Sequence, residues 1–308
     1  MALKPRLTAH DFDQELLILF DAYVHGGIDR RGFLEGAAKF ATAGTTAAML
    51  LSALSPNFAA AQVVPKDDKR ITTQMITVAS PSGSGTIKGY LCRPASAGNA
   101  PLPAVLVIHE NRGLNPHIED IARRLALDGY MAFAPDALTA LGGYPGKDAN
   151  PEDKARELFA TLDQKKISED FMACATYLKA RPDATGKMGA VGFCYGGGVV
   201  HTLATRLPEL NAAVPFYGNH PAPADAAKVK APLLIQFAGV DERINAAWPA
   251  YEAGLKTAGI RYTAYTYAGT QHGFNNDTTP RFDAAAAKLA WGRTMDFFAQ
   301  NLKASAVM

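Results

Sequence analysis

One stretch constrains this chain more than any other. Lys187-Met188-Gly189-Ala190-Val191 is an apolar run that leads directly into Gly192-Phe193-Cys194-Tyr195-Gly196-Gly197-Gly198, and a helical pattern follows. Strand, G-x-C-x-G and helix in that order describe a nucleophile elbow with cysteine in the position usually held by serine. The turn is so tight that a side chain two residues to either side of the nucleophile would meet neighbouring backbone, so glycine is required there. The thiol is left at the first turn of a helix, where the dipole favours its anion. A phosphate-binding loop is a poorer reading because the Gly-Lys-Ser/Thr ending is missing. A plain glycine-rich turn around a structural cysteine is the alternative.

An elbow of this kind requires an acid and then a histidine downstream. Leu233–Val240 is an apolar run ending at Asp241, and Tyr262–Tyr267 leads through a short loop to His272-Gly273-Phe274. Of the histidines after the cysteine, His201 falls inside the elbow helix and His220 on a proline-rich loop, which leaves His272. Asp225 and Glu242 are the rival acids, but neither ends a strand so directly. Upstream, the run Ala104–Ile108 gives way to His109-Glu110-Asn111-Arg112-Gly113. The corresponding loop of this architecture supplies one oxyanion-hole donor, and the residue after the nucleophile supplies the other. Backbone N–H groups of Asn111 and Tyr195 are therefore the expected pair, with Glu110 at the strand end near the thiol. Its bland alternative is an ion pair with Arg112, Arg123 or Arg124.

From Val63 onward strand and helix signals alternate. The predicted strands are Gln74–Ala79, Thr86–Cys92, Ala104–His109, Tyr130–Ala134, Lys187–Gly192, Ala212–Phe216, Leu233–Phe237 and Tyr262–Tyr267. Helices are predicted at Ile118–Leu127, Pro151–Phe159, Ser168–Ala180, Tyr195–Arg206, Ala246–Ala258 and Phe282–Leu302. This alternation predicts an α/β domain over residues 63–308: a mostly parallel, twisted sheet with helices on both faces. Ligand-binding residues then belong at the carboxyl ends of the strands. The 31 Lys+Arg against 29 Asp+Glu leave +2, so no basic excess points to nucleic acid. Three cysteines cannot form a disulfide framework. His109, His117 and Asp120 mix a strand end with a helix start, and neither H-E-x-x-H nor paired C-x-x-C occurs, so no metal or organic cofactor is expected.

Residues 1–62 differ in character. Leu7–Val24 places Phe12, Leu16, Leu17, Leu19, Phe20 and Tyr23 at amphipathic-helix spacing. Asp29-Arg30-Arg31-Gly32-Phe33-Leu34, a mildly apolar run from Ala37 to Leu54 and Ala59-Ala60-Ala61 together resemble a twin-arginine export signal, which would send the protein to the periplasm. The charged leader and Glu35 count against that signal and keep a second reading open beside it: a retained helical extension in a cytoplasmic protein, covering the main domain or pairing subunits in a homo-oligomer. The apolar run is too interrupted to span a membrane.

These residues together resemble the dienelactone hydrolase (carboxymethylenebutenolidase) family of α/β-hydrolases, over roughly Ile71 to Leu302. The likeness rests on His109-Glu110-Asn111-Arg112-Gly113-Leu114, Gly192-Phe193-Cys194-Tyr195-Gly196-Gly197, Asp241 after its strand, and His272-Gly273-Phe274. It implies the α/β-hydrolase fold and hydrolysis of a small carboxylic ester or lactone. Cys194 would be nucleophile, His272 base and acid, Asp241 the group orienting the imidazole, and Glu110 a participant in forming the thiolate. The extension resembles that of one subgroup. Family members that act on dienelactone hold its carboxylate with arginines, one of them four residues after the histidine, where this chain has Asn276 followed by Asp277. A carboxylate at Asp277 would repel that substrate. Arg112, Tyr144, Arg156, Phe274, Asn276 and Arg281 are the remaining candidates for the substrate pocket. Two rival readings use the same fold: a non-catalytic binding module, and a redox-sensing thiol at Cys194, the latter without a nearby resolving cysteine.

Overall fold

The structure is a computed structural model, and it describes residues 6–42 and 44–303. The N-terminal segment folds into helices α1 (Gln14–Val24), α2 (Arg30–Ala37), α3 (Ala47–Leu54) and α4 (Phe58–Ala61). Asp13, Asp29, Thr46 and Asn57 each accept a backbone N–H in the first turn of the helix they precede, which explains where these helices start. Leu16, Leu17, Phe20, Tyr23, Phe33, Ala37, Leu51 and Leu54 form a small core of their own. The twin arginines open α2, and Arg30 is paired with Asp153 at 2.7 Å.

Among the described residues eight strands make one sheet: β1 (Ile71–Ser80), β2 (Gly85–Pro94), β3 (Leu102–Ile108), β4 (Met131–Asp136), β5 (Ala184–Phe193), β6 (Ala212–Phe216), β7 (Leu233–Val240) and β8 (Tyr262–Gln271). Their spatial order is β1-β2-β4-β3-β5-β6-β7-β8. The β1–β2 and β2–β4 pairs are antiparallel and the rest parallel, so the sheet is mostly parallel as predicted. The helices are α5 (Pro116–Leu127), α6 (Pro151–Ala160), α7 (Gln164–Lys179), α8 (Tyr195–Arg206), the short α9 (Glu242–Asn245), α10 (Trp248–Thr257) and α11 (Ala284–Leu302). Two cores result. Ala104, Leu106 and Ile108 of β3 face α6, α7, α8 and α10, while Val105 and Val107 face α5 and α11. The continuous apolar run of β3 is thus the signature of a strand covered on both faces.

After β3 the chain crosses to β4, and after β4 it returns to the other side of β3 to form β5. The order reverses there, and a crevice opens at the carboxyl ends of β3 and β5. Ile108 and Gly192, the last residues of this pair, are in register, which sets the loop after β3 against the elbow after β5.

A pair of histidines, one buried and one half-buried, packs beside the core. His201 of α8 is fully buried, and His220 stacks on Tyr251 at 5.4 Å. Burial lowers both pKa values, to about 3 for His201 and about 4 for His220. A histidine kept neutral in the fold is protonated in the unfolded chain below about pH 6.5, so its contribution is complete above that pH and declines as pH falls. Stability is expected to drop between pH 6.5 and 4, with His201 alone giving a slope of about 1.4 kcal/mol per pH unit. Urea titrations across this range, with His201→Leu showing a shallower slope, check it. An equal slope in the variant would remove His201 from the explanation.

Candidate active site

Cys194 connects β5 to α8 with φ +55°, a conformation that costs energy for a residue with a side chain. The neighbours hold it there. Its N–H bonds Phe216 O at 3.0 Å, and a Cβ on Gly192 would come within 2.2 Å of Gly196 O. The three cysteines show how strongly surroundings decide reactivity. Burial pushes the Cys92 thiol up to about 12 and raises Cys174 as well. Burial acts the same way on Cys194, but His272 and His25 outweigh it and hold that thiol at about 5.

Asp241 immediately follows β7, and His272 immediately follows β8. Nδ1 of His272 and Oδ2 of Asp241 are 2.6 Å apart, and both residues are buried. Nε2 of His272 is buried without a hydrogen-bond partner, and a ring nitrogen of His272 lies within 4.8 Å of the Cys194 sulfur. Burial disfavours the imidazolium, yet the thiolate and Asp241 overcome it and raise His272 to about 10. The two opposed shifts favour a thiolate–imidazolium pair at neutral pH.

A cavity of about 280 Å³ opens at the thiol, lined by His25, Asn111, Tyr195, Tyr217, Asn219 and Arg243 among others. Tyr195 is the first residue of α8, so its N–H has no acceptor within the helix. Asn111 meets the same cavity, and its side-chain amide donates to Val24 O at 2.8 Å. Arg243 is exposed and forms no ion pair among the described residues; Nη1 reaches Asn219 at 3.4 Å.

The residue that sequence reasoning missed is His25. It caps the end of α1, and its Nε2 is 3.3 Å from Cys194 Sγ. Its Nδ1 faces Asp21, 2.8 Å from the carbonyl and 3.3 Å from the carboxylate. Arg281 pairs with that same Asp21 carboxylate at 3.2 Å, and Arg156 donates to Tyr23 O while lying over the Tyr23 ring. A histidine before a Gly-Gly turn, 169 residues from the thiol, carries no sequence signal of this contact.

The other candidates take different places. Glu110 accepts from Asn276 Nδ2 at 3.0 Å, and among the described residues it bonds neither an arginine nor the thiol. Arg112 lies 3.2 Å from Glu152, which also accepts the Tyr144 hydroxyl at 2.8 Å. Phe274 is wholly buried against Phe216, Tyr217 and Tyr267, so its ring belongs to the core and not to the pocket wall. Asp277 is bound by Arg124 at 2.6 Å and His117 at 3.2 Å, which removes the expected source of repulsion. His109 accepts from Ala137 N, and Asp120 accepts the N–H groups of Val63 and Val64, so His109, His117 and Asp120 serve structure separately.

Comparison with known proteins agrees with this arrangement. Residues 87–302 match the profile described as "Dienelactone hydrolase family", and residues 4–40 match one described as "YqhI-like". A "Putative carboxymethylenebutenolidase" of Escherichia coli O157:H7 is 31% identical over 252 residues, covering 78% of this chain and 92% of its own. The "Putative hydrolase fragment YghX" of Escherichia coli (strain K12) is 51% identical over 118 residues, 38% of this chain and 97% of the fragment. A solved "Putative Dienelactone Hydrolase" from Klebsiella pneumoniae subsp. pneumoniae MGH 78578 superposes with a TM-score of 0.65 at 28% identity, over 75% of this chain and 99% of that one. The strand order, the cysteine elbow and these matches have one common reading: the chain belongs to the dienelactone hydrolase family and is a hydrolase of the α/β-hydrolase fold.

Proposed function

We propose that the protein hydrolyses a small carboxylic ester or lactone through Cys194, His272 and Asp241. The observation that carries this reading is the buried His272–Asp241 pair, whose imidazole lies within 4.8 Å of a thiol strained onto the elbow. The Cys194 thiolate attacks the carbonyl carbon, and the oxygen that becomes negative is received by the Asn111 and Tyr195 amides. Each such donor is worth roughly 10²–10³ in rate. Collapse breaks the C–O bond, and His272 gives its proton to the leaving oxygen. With the thiolate consumed in a thioester, the imidazole is neutral and can take a proton from water, whose oxygen attacks the thioester and releases the acid. Asp241 keeps Nδ1 protonated and the ring oriented throughout. Residues 63–308 make up the hydrolytic domain in this reading, and residues 1–62 its cover.

Arg243 is the guanidinium best placed to meet a carboxylate on the substrate, since Arg112, Arg156 and Arg281 are engaged elsewhere. Hydrolysis of p-nitrophenyl acetate and of dienelactone, with mass spectrometry of quenched enzyme, tests the proposal. The expected result is turnover with a transient acyl adduct on Cys194, and a raised KM for dienelactone but not for the neutral ester in Arg243→Gln. Turnover without Cys194 would refute the mechanism, and an equal change for both substrates would refute the role of Arg243.

A further inference from the structure

We propose that Cys194, His272 and His25 form a binding site for a soft divalent cation of the Zn²⁺ type, completed by the N-terminal extension, and that occupancy silences the nucleophile. The sulfur and one nitrogen of each imidazole all lie within 4.8 Å of one another. Zinc bound tetrahedrally to sulfur at about 2.3 Å and nitrogen at about 2.0–2.1 Å spaces its ligands at roughly 3.3–3.6 Å. A sulfur–nitrogen edge of that tetrahedron is roughly 3.5–3.6 Å; the His25–Cys194 edge, at 3.3 Å, is close to it, and the His272 nitrogen, within 4.8 Å, has to move closer.

A second observation is independent of this proximity. A histidine that binds metal normally gives its other ring nitrogen to a carboxylate or carbonyl, which fixes the ring and makes it a better donor. Both histidines are backed in this way: His272 Nδ1 by Asp241 at 2.6 Å, and His25 Nδ1 by the Asp21 carbonyl at 2.8 Å and its carboxylate at 3.3 Å. His272 Nε2 is buried and unpartnered. Three ligands and a cavity of about 280 Å³ leave the fourth position for water or a small anion. Arg243 Nη2 lies 3.2 Å from His25 Nε2 and opposes a cation there, but this side chain is exposed and free to swing out.

Binding involves no redox step. Sulfur donates as thiolate and each imidazole as a neutral ligand, and any protons they carry pass to the buffer. The metal-bound sulfur no longer has its electron pair available for a carbonyl, so the cation acts as a reversible inhibitor. The site shares its thiol with the hydrolytic reading, but metal binding can be measured without any turnover.

The test is an anaerobic Co²⁺ titration of the reduced full-length chain after chelator treatment, followed by Zn²⁺ displacement. One Co²⁺ per chain with tetrahedral d–d bands and a thiolate charge-transfer band is expected. Cys194→Ala should abolish the charge-transfer band, His25→Ala should weaken binding by at least about 100-fold, and Asp21→Asn by roughly 10–100-fold. Circular dichroism confirms that each variant is folded. Absence of the band, or equal affinity in folded His25→Ala, overturns the proposal. Ester hydrolysis without the band defeats the metal site alone, whereas the band without hydrolysis defeats the hydrolytic reading alone.

Discussion

Cys194→Ala is expected to lower kcat/KM for a short p-nitrophenyl ester by on the order of 10⁴–10⁶-fold, with the fold intact. Alanine keeps the Cβ, so the elbow backbone and its φ of +55° are undisturbed while the attacking atom is lost. The proposed oxyanion donors and the cavity remain, and they would account for the residual rate. Asp241→Asn is the companion test. It preserves the contact with His272 but presents the wrong hydrogen-bonding group to Nδ1, and about 10⁴-fold is the corresponding loss in a serine triad. Alkylation by iodoacetamide in the presence of EDTA reports the thiolate separately. Because the histidines hold Cys194 at about 5, its alkylation rate should rise through pH 5 and be flat by pH 7. The unfolded chain should show the rise near the ordinary thiol value of about 8.5. His25→Ala removes one of the two histidines that lower the thiol, so its curve should move toward higher pH. A wild-type curve rising only above pH 8 would show that no thiolate–imidazolium pair exists.

The hydrolase domain was legible because each of its signals is local. A strand, two spaced glycines and a helix announce the elbow, and the acid and histidine fall directly after apolar runs. The structure keeps all eight predicted strands, lengthening most at the ends. What was not legible depends on side chains choosing among distant partners. Glu110 sits three residues before Gly113 in the loop after β3, but its Asn276 partner follows β8. Arg156 and Arg281 are available cations in the sequence, yet the folded chain directs both to α1. Residues 1–62 show the limit most clearly. Amphipathic spacing announced α1, but one apolar stripe cannot say whether the helix packs on its own chain, on a second copy or nowhere. In the structure α1 brings Asp21 and His25 to the Cys194 thiol, a placement that depends on Val24, Tyr23 and Asp21 finding Asn111, Arg156 and Arg281.

Gly196→Ala is expected to cost at least about 3 kcal/mol in urea denaturation, above the usual 1–3 kcal/mol for an overpacked core. A single added carbon would lie 2.3 Å from Ile108 O and 2.7 Å from His109 O. Those atoms are backbone at the end of β3, held by its pairing with β5, and no side-chain rotation relieves the contact. The start of α8 must then move away from the loop that carries Asn111, which separates the two proposed oxyanion donors and displaces the thiol. A shift of about 1 Å costs on the order of 10² in rate, so the surviving folded fraction should also be slow. Gly292→Ala is the control. That glycine lies in α11 with nothing within 4 Å of an added carbon, and replacing it should stabilise by roughly 0.5–1 kcal/mol as helix propensity alone requires. If Gly196→Ala were as stable and active as wild type, the glycine would not be what holds the elbow against β3, and the thiol's position would need another cause.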